Sequence, residues 1–382
     1  MTESPVRALF PIVDECLFFD HARVAPISTR VESAIMRFAA EATRAVRLRY
    51  PYWNERAEEV RRACGRLVGA TPSQVAFVKN TSEALSFVAE GLEWRPGDVI
   101  LTADREFPSN VYPWLGLARL GVETRLLEPG PGGVTADDVA RGLDARVRLV
   151  ALSAVSYGAG ERIDLGAIGG LCHERDVLFV VDGIQAIGAL EVDLERDCMD
   201  CIAADGHKWL CAPEGAGFMA VSDRLLARLR PVQLGWKSVM NADTYHPYDP
   251  SLRRDAAKLE AGSLGLLGLH ALGAAVDLTL EVGLASIEAR LGELTGLLEE
   301  GCARRGLEVL GRRGDGARER RAGIVSFAPG RPVERVRQDL WERGVATTVR
   351  FGGIRLSPHH YHDHRDVESF FARLDDAEAH AR

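Results

Sequence analysis

Between about residue 55 and residue 225, short apolar runs rich in β-branched residues alternate with segments of helical periodicity. The runs are Gln74–Val78, Asp98–Thr102, Glu123–Leu127, Arg148–Val155, Val177–Asp182, Cys201–Ala204 and Gly217–Val221. Between them, Ser82–Gly91, Val111–Leu120, Thr135–Leu143 and Leu165–Arg175 read as helices. Strands alternating with helices predict an α/β fold around a largely parallel sheet. Arg148–Val155 and Val177–Val181 are apolar on both faces, as strands buried beneath two helical layers should be.

The pattern dissolves over Gly235–Pro250 into a polar, aromatic stretch that predicts a long ordered loop. Leu264–Val282 and Leu284–Arg304 then read as long helices, followed by strands near Ala322–Phe327 and Ile354–Ser357 and a last helix from His364. We expect an N-terminal arm, residues 1–20, packing on a smaller C-terminal unit. A large domain would span 21–255, and a linking helix with a small α/β domain 256–382, the change of unit falling within 255–285. No repeat or low-complexity tract interrupts this order.

Composition narrows the class. At 382 residues the chain exceeds one typical core, while 46% hydrophobic and 27% charged residues are ordinary for a globular protein. A net charge of −8 argues against nucleic acid, which asks for a concentrated basic face. No run reaches the roughly 18 uninterrupted apolar residues of a membrane helix, and Met1–Arg7 shows no leader pattern, so a cytoplasmic protein is expected. Seven cysteines at irregular spacing suit reduced thiols. The lone Cys198-x-x-Cys201 has no second ligand pair and reads as buried, inert thiols. Of 47 basic residues only four are lysine, at 79, 208, 237 and 258. Arginine replaces lysine in most surface roles but cannot form an imine, because its guanidinium stays protonated.

Three segments carry candidate chemistry. Asp182 ends the run Val177–Asp182, and Lys208 follows 26 residues later, past the next strand, in Ala204-Asp-Gly-His-Lys-Trp-Leu. Adjacent strand ends of one sheet would put both in one crevice, where an open α/β sheet presents its ligand site. A carboxylate there suits a protonated ring nitrogen, and a lysine suits an imine, the two requirements of pyridoxal 5′-phosphate (PLP). Thr81 and Ser82 open a helix after a strand, at its N-cap and first turn, where free N–H groups and the helix dipole favour a phosphate. Phe107, in Arg105-Glu-Phe-Pro-Ser-Asn110, follows another strand and could stack on a flat ring.

In this order and spacing the segments resemble the class V aminotransferase group of fold-type I PLP enzymes, which includes cysteine desulfurases, selenocysteine lyases and isopenicillin-N-epimerase-like proteins. The likeness runs from Leu17 to the final helix. It implies a seven-stranded, mainly parallel sheet in the large domain. Lys208 would hold PLP as an imine and later move the Cα proton. Asp182 would pair with the pyridine nitrogen, Gln185 would hydrogen-bond the ring hydroxyl, and Phe107 would stack on the ring. Thr81, Ser82 and His207 would hold the phosphate, with Ser263 reaching it from the partner subunit of a homodimer. Arg355 would clamp the substrate carboxylate.

The sequence departs from that pattern at three places. Val345–Gly353, where the desulfurases carry their sulfur-accepting cysteine, has none. Tyr157 replaces an asparagine common near the ring, at the substrate side. Asp205 stands where some relatives have a phosphate-binding serine. Position along the chain also places Arg350, His21 and Arg23 at the substrate pocket. His359, His360, His362 and His364 form a cluster that suits a partly solvated helix start better than a metal site. Cys211, three residues past Lys208, is the thiol whose pKa the cofactor could lower. The expected function is β-elimination of the C–S lyase type on a small, cysteine-derived amino acid. Transamination and epimerisation stand behind it, and a non-catalytic PLP-binding protein comes last.

Overall fold

The computed structural model describes residues 6–130, 132–311 and 322–379. Parts of the expected arm (1–20) and C-terminal unit (256–382) therefore lie outside the described residues. The chain opens with α1 (Ile12–Glu15), β1 (Leu17–Phe18), α2 (Thr29–Arg44) and α3 (Val46–Leu67). Seven strands follow: β2 (Val75–Val78), β3 (Val99–Ala103), β4 (Glu123–Leu127), β5 (Val147–Ser153), β6 (Leu178–Asp182), β7 (Cys201–Asp205) and β8 (Gly217–Val221). Between and after them come α4 (Thr81–Gly91), α5 (Tyr112–Leu115), α6 (Ala136–Gly142), α7 (Leu165–Glu174) and α8 (Asp223–Arg228). The C-terminal part contains α9 (Leu266–Val282), α10 (Leu284–Arg304), β9 (Glu308–Val309), β10 (Val325–Ala328), α11 (Val333–Glu342), β11 (Val345–Ala346), β12 (Thr348–Arg350), β13 (Gly353–Leu356) and α12 (His364–Ala379).

The large sheet has the order β2-β8-β7-β6-β5-β3-β4. Only β8 runs antiparallel to its neighbours β2 and β7; the other pairings are parallel. Alternate residues of the central strands feed two separate apolar layers. Leu149, Ala151, Leu178 and Val180 join one, and Val150, Leu152, Phe179 and Val181 join the other. Burying such a side chain contributes roughly 1.5–3 kcal/mol, so both layers hold the strand ends in place. A second sheet, β12-β13-β10-β9, packs with α10, α11 and α12. There β1 pairs parallel with β11, and Leu17 and Phe19 share an apolar cluster with Phe327, Ile354 and Phe370.

Several elements differ from the sequence pattern. Val111–Leu120 is a single α-turn, Tyr112–Leu115, continued as a 3-10 helix over Gly116–Leu120, with Pro113 at its start. The strand expected at Ala322–Phe327 begins only at Val325. Helices α2 and α3 lie outside the helices expected above; α3 buries Trp53, Ala57, Val60, Cys64 and Leu67 at helical spacing, while α2 turns Val31, Ala34, Ile35 and Phe38 inward and buries only Val31 fully. Residues 235–250 hold no helix or strand, only an isolated bridge from Val239 to Leu252. Among the described residues, no single helix is long and apolar enough to cross a membrane.

Candidate active site

Parallel strands deliver their C-terminal ends to one edge of the sheet, and the chemistry gathers there. Asp182 is the last residue of β6 and pairs in register with Ser153, the last residue of β5. Lys208 lies three residues beyond β7, buried, with its Nζ 5.6 Å from the Phe107 ring centroid. Burial is the main cause pushing the Lys208 amine down to about 8, with Asp182, Arg355, Asp205 and Arg350 all acting on its charge. Desolvation so favours the neutral amine, the nucleophilic form. Burial also pushes the Asp182 carboxyl up to about 6, against the Ile184 N–H and the Lys208 charge.

Asp182 Oδ1 accepts from the Ile184 N–H at 3.0 Å. Its Oδ2 is buried with no hydrogen-bond partner among the described residues, and so is Thr81 Oγ1. Unpaired buried polar atoms cost about 1–3 kcal/mol each and ask for a ligand. Two orphans, one an acidic acceptor at a strand end and one a hydroxyl at a helix start, fit PLP, with its ring nitrogen and its phosphate. The N-cap of α4 is Asn80, whose side chain takes the Glu83 N–H, which moves Thr81 from the cap into the first turn beside Ser82. They are the first two helical residues instead, where backbone N–H groups lack intrahelical partners. Ser82 Oγ donates to Ser109 Oγ at 2.7 Å.

Gln185 gives an amide hydrogen to the Ala22 carbonyl at 2.9 Å and accepts from Trp209 Nε1 at 2.8 Å. One amide hydrogen remains for a ring hydroxyl. Asp205 is buried and engaged by the protein: its Oδ1 accepts from the Gly206 N–H at 2.7 Å, and Oδ2 lies 3.0 Å from His207 Nδ1. Ser263 is exposed and lines a cavity of about 230 Å³ with Lys79 and Glu83.

Arg355, on β13, is fully buried. It donates to the Tyr157 carbonyl at 2.7 Å and approaches Asp20 Oδ1 at 3.3 Å, while its Nε has no partner among the described residues. Burial pushes its guanidinium down to about 10, despite Asp20. Arg350 donates to its neighbouring Val349 carbonyl. Between these arginines, Phe351 and Gly352 alone connect paired strands β12 and β13, with φ of 50° and 78°. That is a two-residue turn with both residues left-handed, a geometry that matches strand twist. A non-glycine residue there costs about 1–2 kcal/mol.

Glu106 escaped the sequence reading although it sits beside Phe107. Its carboxylate accepts from the Ser153 N–H at 2.7 Å and from Ser153 Oγ, tying the ends of β3 and β5. Burial pushes it up to about 7, with Asp182 adding to the rise. A charged residue in a strand-end segment otherwise reads as solvated, so only packing reveals it.

His21, expected at the substrate pocket, packs in the interior. It is fully buried, with Nδ1 2.9 Å from the Ser357 carbonyl and Nε2 2.7 Å from the Tyr361 hydroxyl. Arg23 is largely exposed, 4.0 Å from Asp20. The histidine cluster divides: His364 opens α12 and is exposed beside Glu293, whereas His359 and His362 are buried, and His359 Nε2 lies 2.9 Å from the Trp209 carbonyl. Among the described residues, no group of three or more His, Cys, Asp or Glu is placed to hold a metal. Burial pushes the Cys211 thiol up rather than down, because the side chain is sealed from solvent and cations.

These histidines set an acid limit on stability. Burial holds His360 and His362 at about 4, and His21 and His359 well below the ordinary value of 6.5. Below 6.5 the unfolded chain takes protons that the folded chain refuses, so stability falls as pH drops from 6.5 toward 4. Each histidine contributes up to about 1.4 kcal/mol per pH unit in that window. Melting temperatures measured from pH 7.5 to 4.5 should fall with a slope of more than one proton, and His362→Asn should flatten it. A flat profile would show that these histidines take up protons without the fold opening.

Comparison with known proteins agrees with this geometry. Residues 18–370 match the family described as "Aminotransferase class-V". A probable cysteine desulfurase of Methanothermobacter thermautotrophicus is 31% identical over 294 residues, covering 75% of this chain and 72% of that protein. The apo structure of cysteine desulfurase from Thermococcus onnurineus NA1 superposes with a TM-score of 0.86 at 25% identity, covering 98% of each chain. The complex between the cystine C–S lyase C-DES and its reaction product, cysteine persulfide, superposes with a TM-score of 0.88 at 23% identity, covering 96% of this chain and 99% of that one. With residues 18–370 matched and PLP chemistry suiting the orphaned Asp182 and the desolvated Lys208, the chain belongs to the class-V aminotransferase family and is a PLP-dependent enzyme.

Proposed function

We propose that this enzyme is a C–S lyase that carries out β-elimination on a cysteine-derived amino acid. The observation that supports it is the two-residue turn Phe351–Gly352. Where the resembling desulfurases place a cysteine-bearing loop, β12 and β13 are joined directly and Val345–Gly353 holds no cysteine. The cystine C–S lyase of the same fold, and the desulfurase relatives, make a sulfur amino acid the natural substrate class.

When bound, PLP supplies an electron sink for the pair left at Cα. Lys208 holds it and moves the Cα proton, a task for which an amine near neutral pKa is suited. Asp182 Oδ2 keeps the ring nitrogen protonated. The first N–H groups of α4, Thr81 Oγ1, Ser82 and His207 bind the phosphate. Gln185 takes the ring hydroxyl, Phe107 packs against the ring, and Arg355 orients the substrate carboxylate with the donors that Asp20 and Tyr157 leave free. As Cα–H is broken by Lys208, Cβ–S breaks and the sulfur departs as a thiolate. Water then yields pyruvate and ammonia. Ser263, exposed on one chain, completes the phosphate site of a second copy in a homodimer.

Incubating the enzyme with S-substituted cysteines and other amino acids tests this. Stoichiometric thiol and pyruvate support the lyase. Keto acid without thiol marks an aminotransferase, and Cα deuterium exchange with loss of chirality alone marks an epimerase; either overturns the proposal.

The same reading predicts no persulfide on the enzyme after mixing with L-cysteine. Burial pushes Cys172 and Cys302 up to about 12, and Cys64, Cys201 and Cys211 also upward, so thiolate nucleophiles are scarce. Alkylation and mass spectrometry check this. A stoichiometric persulfide lost on replacing one cysteine would restore the desulfurase reading.

A further inference from the structure

We infer that Trp209 is a positioning residue: its indole N–H sets the plane of the Gln185 amide, so that Gln185 meets the ring oxygen of the cofactor as a donor. The inference rests on the placing of Gln185 at the ring hydroxyl and holds whichever reaction follows.

A side-chain amide carries an acceptor and a donor that a half-turn exchanges, and only its partners decide between the two arrangements. Gln185 is buried, three residues past Asp182. Its Nε2 donates to the Ala22 carbonyl at 2.9 Å, and its Oε1 accepts from Trp209 Nε1 at 2.8 Å. A backbone carbonyl can only accept, and an indole N–H can only donate. A flipped amide would set oxygen against oxygen and N–H against N–H in a place closed to water, where each unmade bond is costly. The Ala22 contact by itself is a pivot about which the amide can turn. The Trp209 contact is the second point, which fixes the plane and with it the direction of the remaining Nε2 hydrogen.

Both partners are themselves anchored by the C-terminal part of the chain. The Trp209 ring lies against Gly323, where a Cβ would come within 2.3 Å of Trp209 Cη2, and the Trp209 carbonyl is 2.9 Å from His359 Nε2. The Ala22 N–H donates to Ser357 Oγ at 3.0 Å, and the His21 N–H donates to the Ser357 carbonyl at 3.3 Å. Trp209 also adjoins Lys208 in sequence, so the residue that fixes the amide neighbours the one proposed to hold the cofactor. A donor at the ring oxygen favours its anionic form, and so lowers the pKa of the imine that shares a proton with it. An amide freed from Trp209 can turn its oxygen to the ring hydroxyl instead, which favours the protonated form.

The visible absorption of the holoenzyme, titrated with pH, reads the imine pKa without turnover. Gln185→Met should raise it by about one pH unit, the order of one hydrogen bond to a charged group. Trp209→Phe, which keeps an aromatic ring but no N–H, should raise it by at least half as much. In the Gln185→Met background, Trp209→Phe should add nothing. Asp182, Arg355, Asp205 and Arg350, the charges that act on Lys208, are common to all four proteins. The cofactor-free protein, isotope-labelled at the indole nitrogens of its six tryptophans, gives a second reading by NMR. A single indole N–H signal should move upfield in Gln185→Met, as happens when an acceptor is lost. That reading leaves Trp209 in place and so stands even where Trp209→Phe fails to fold. An equal pKa shift from Trp209→Phe in both backgrounds, or no indole signal moved by Gln185→Met, would overturn the inference while leaving Gln185 at the ring. An imine pKa unmoved by Gln185→Met would remove Gln185 from the ring hydroxyl, and the inference with it.

Discussion

Replacing Lys208 by Ala is expected to lower turnover at least 10²–10⁴-fold, the range contributed by a positioned acid–base group, and to abolish any borohydride-trapped cofactor adduct. Peptide mapping of the reduced wild-type enzyme should find the adduct on Lys208 alone. The other three lysines are otherwise engaged. Lys79 is exposed and paired with Glu83, Lys258 Nζ donates to the Leu226 carbonyl at 2.6 Å, and Lys237 lies 5.4 Å from the Trp236 ring. Lys258 is also buried, and burial pushes its amine down, but Lys208 is the buried lysine that feels the Asp182 carboxylate and is driven down to about 8, the condition for an amine that attacks at neutral pH. An adduct on any other lysine would dislodge the whole site.

Replacing Asp182 by Asn should leave the cofactor bound but reduce turnover roughly 10²–10³-fold, as when one preorganised electrostatic contact is removed. The amide keeps an oxygen for the Ile184 N–H and loses the charge that holds the ring nitrogen protonated. The same change should stabilise the cofactor-free protein. Folding raises the Asp182 pKa to about 6 from 3.8, so above that range the buried carboxylate costs stability, by about 1.4 kcal/mol per unit. As pH rises from about 4 to about 6, the apo wild type should lose ground against the variant. Calorimetry of both proteins across that range, with near-normal turnover or an unchanged gap as the contrary results, decides whether the ring lies where Oδ2 points.

Both predictions rest on residues that the sequence exposes because of where they sit. Asp182 and Lys208 terminate or follow buried strands, and a strand apolar on both faces can end only at the sheet edge. The structure brings them together close enough for each to act on the other's charge. The lysine scarcity had a similar force, since a chain that uses arginine nearly everywhere keeps lysine where an imine is needed. Element limits were less legible. The Val111–Leu120 pattern conceals a proline and a glycine that shorten the α-turn.

The burial of His21, His359 and His362 was not legible for a related reason. A histidine has no sequence signal separating a pocket wall from a satisfied core hydrogen bond. The decision falls to Ser357, Tyr361 and Trp209, which lie far along the chain. Cys211 was misread likewise: its proximity to Lys208 in sequence said nothing of the burial that keeps its thiol protonated.

By itself, then, the sequence determined the α/β order, the strand ends, and the acid and amine that a PLP site requires. These depend on local periodicity and on single residues at element boundaries. Tertiary structure alone decided what surrounds Arg355. Asp20, Tyr157, Phe351 and Arg355 meet there from separate segments. Their contacts arise from the packing of the small sheet against the large one and from a two-residue turn, and no local pattern encodes such long-range closure.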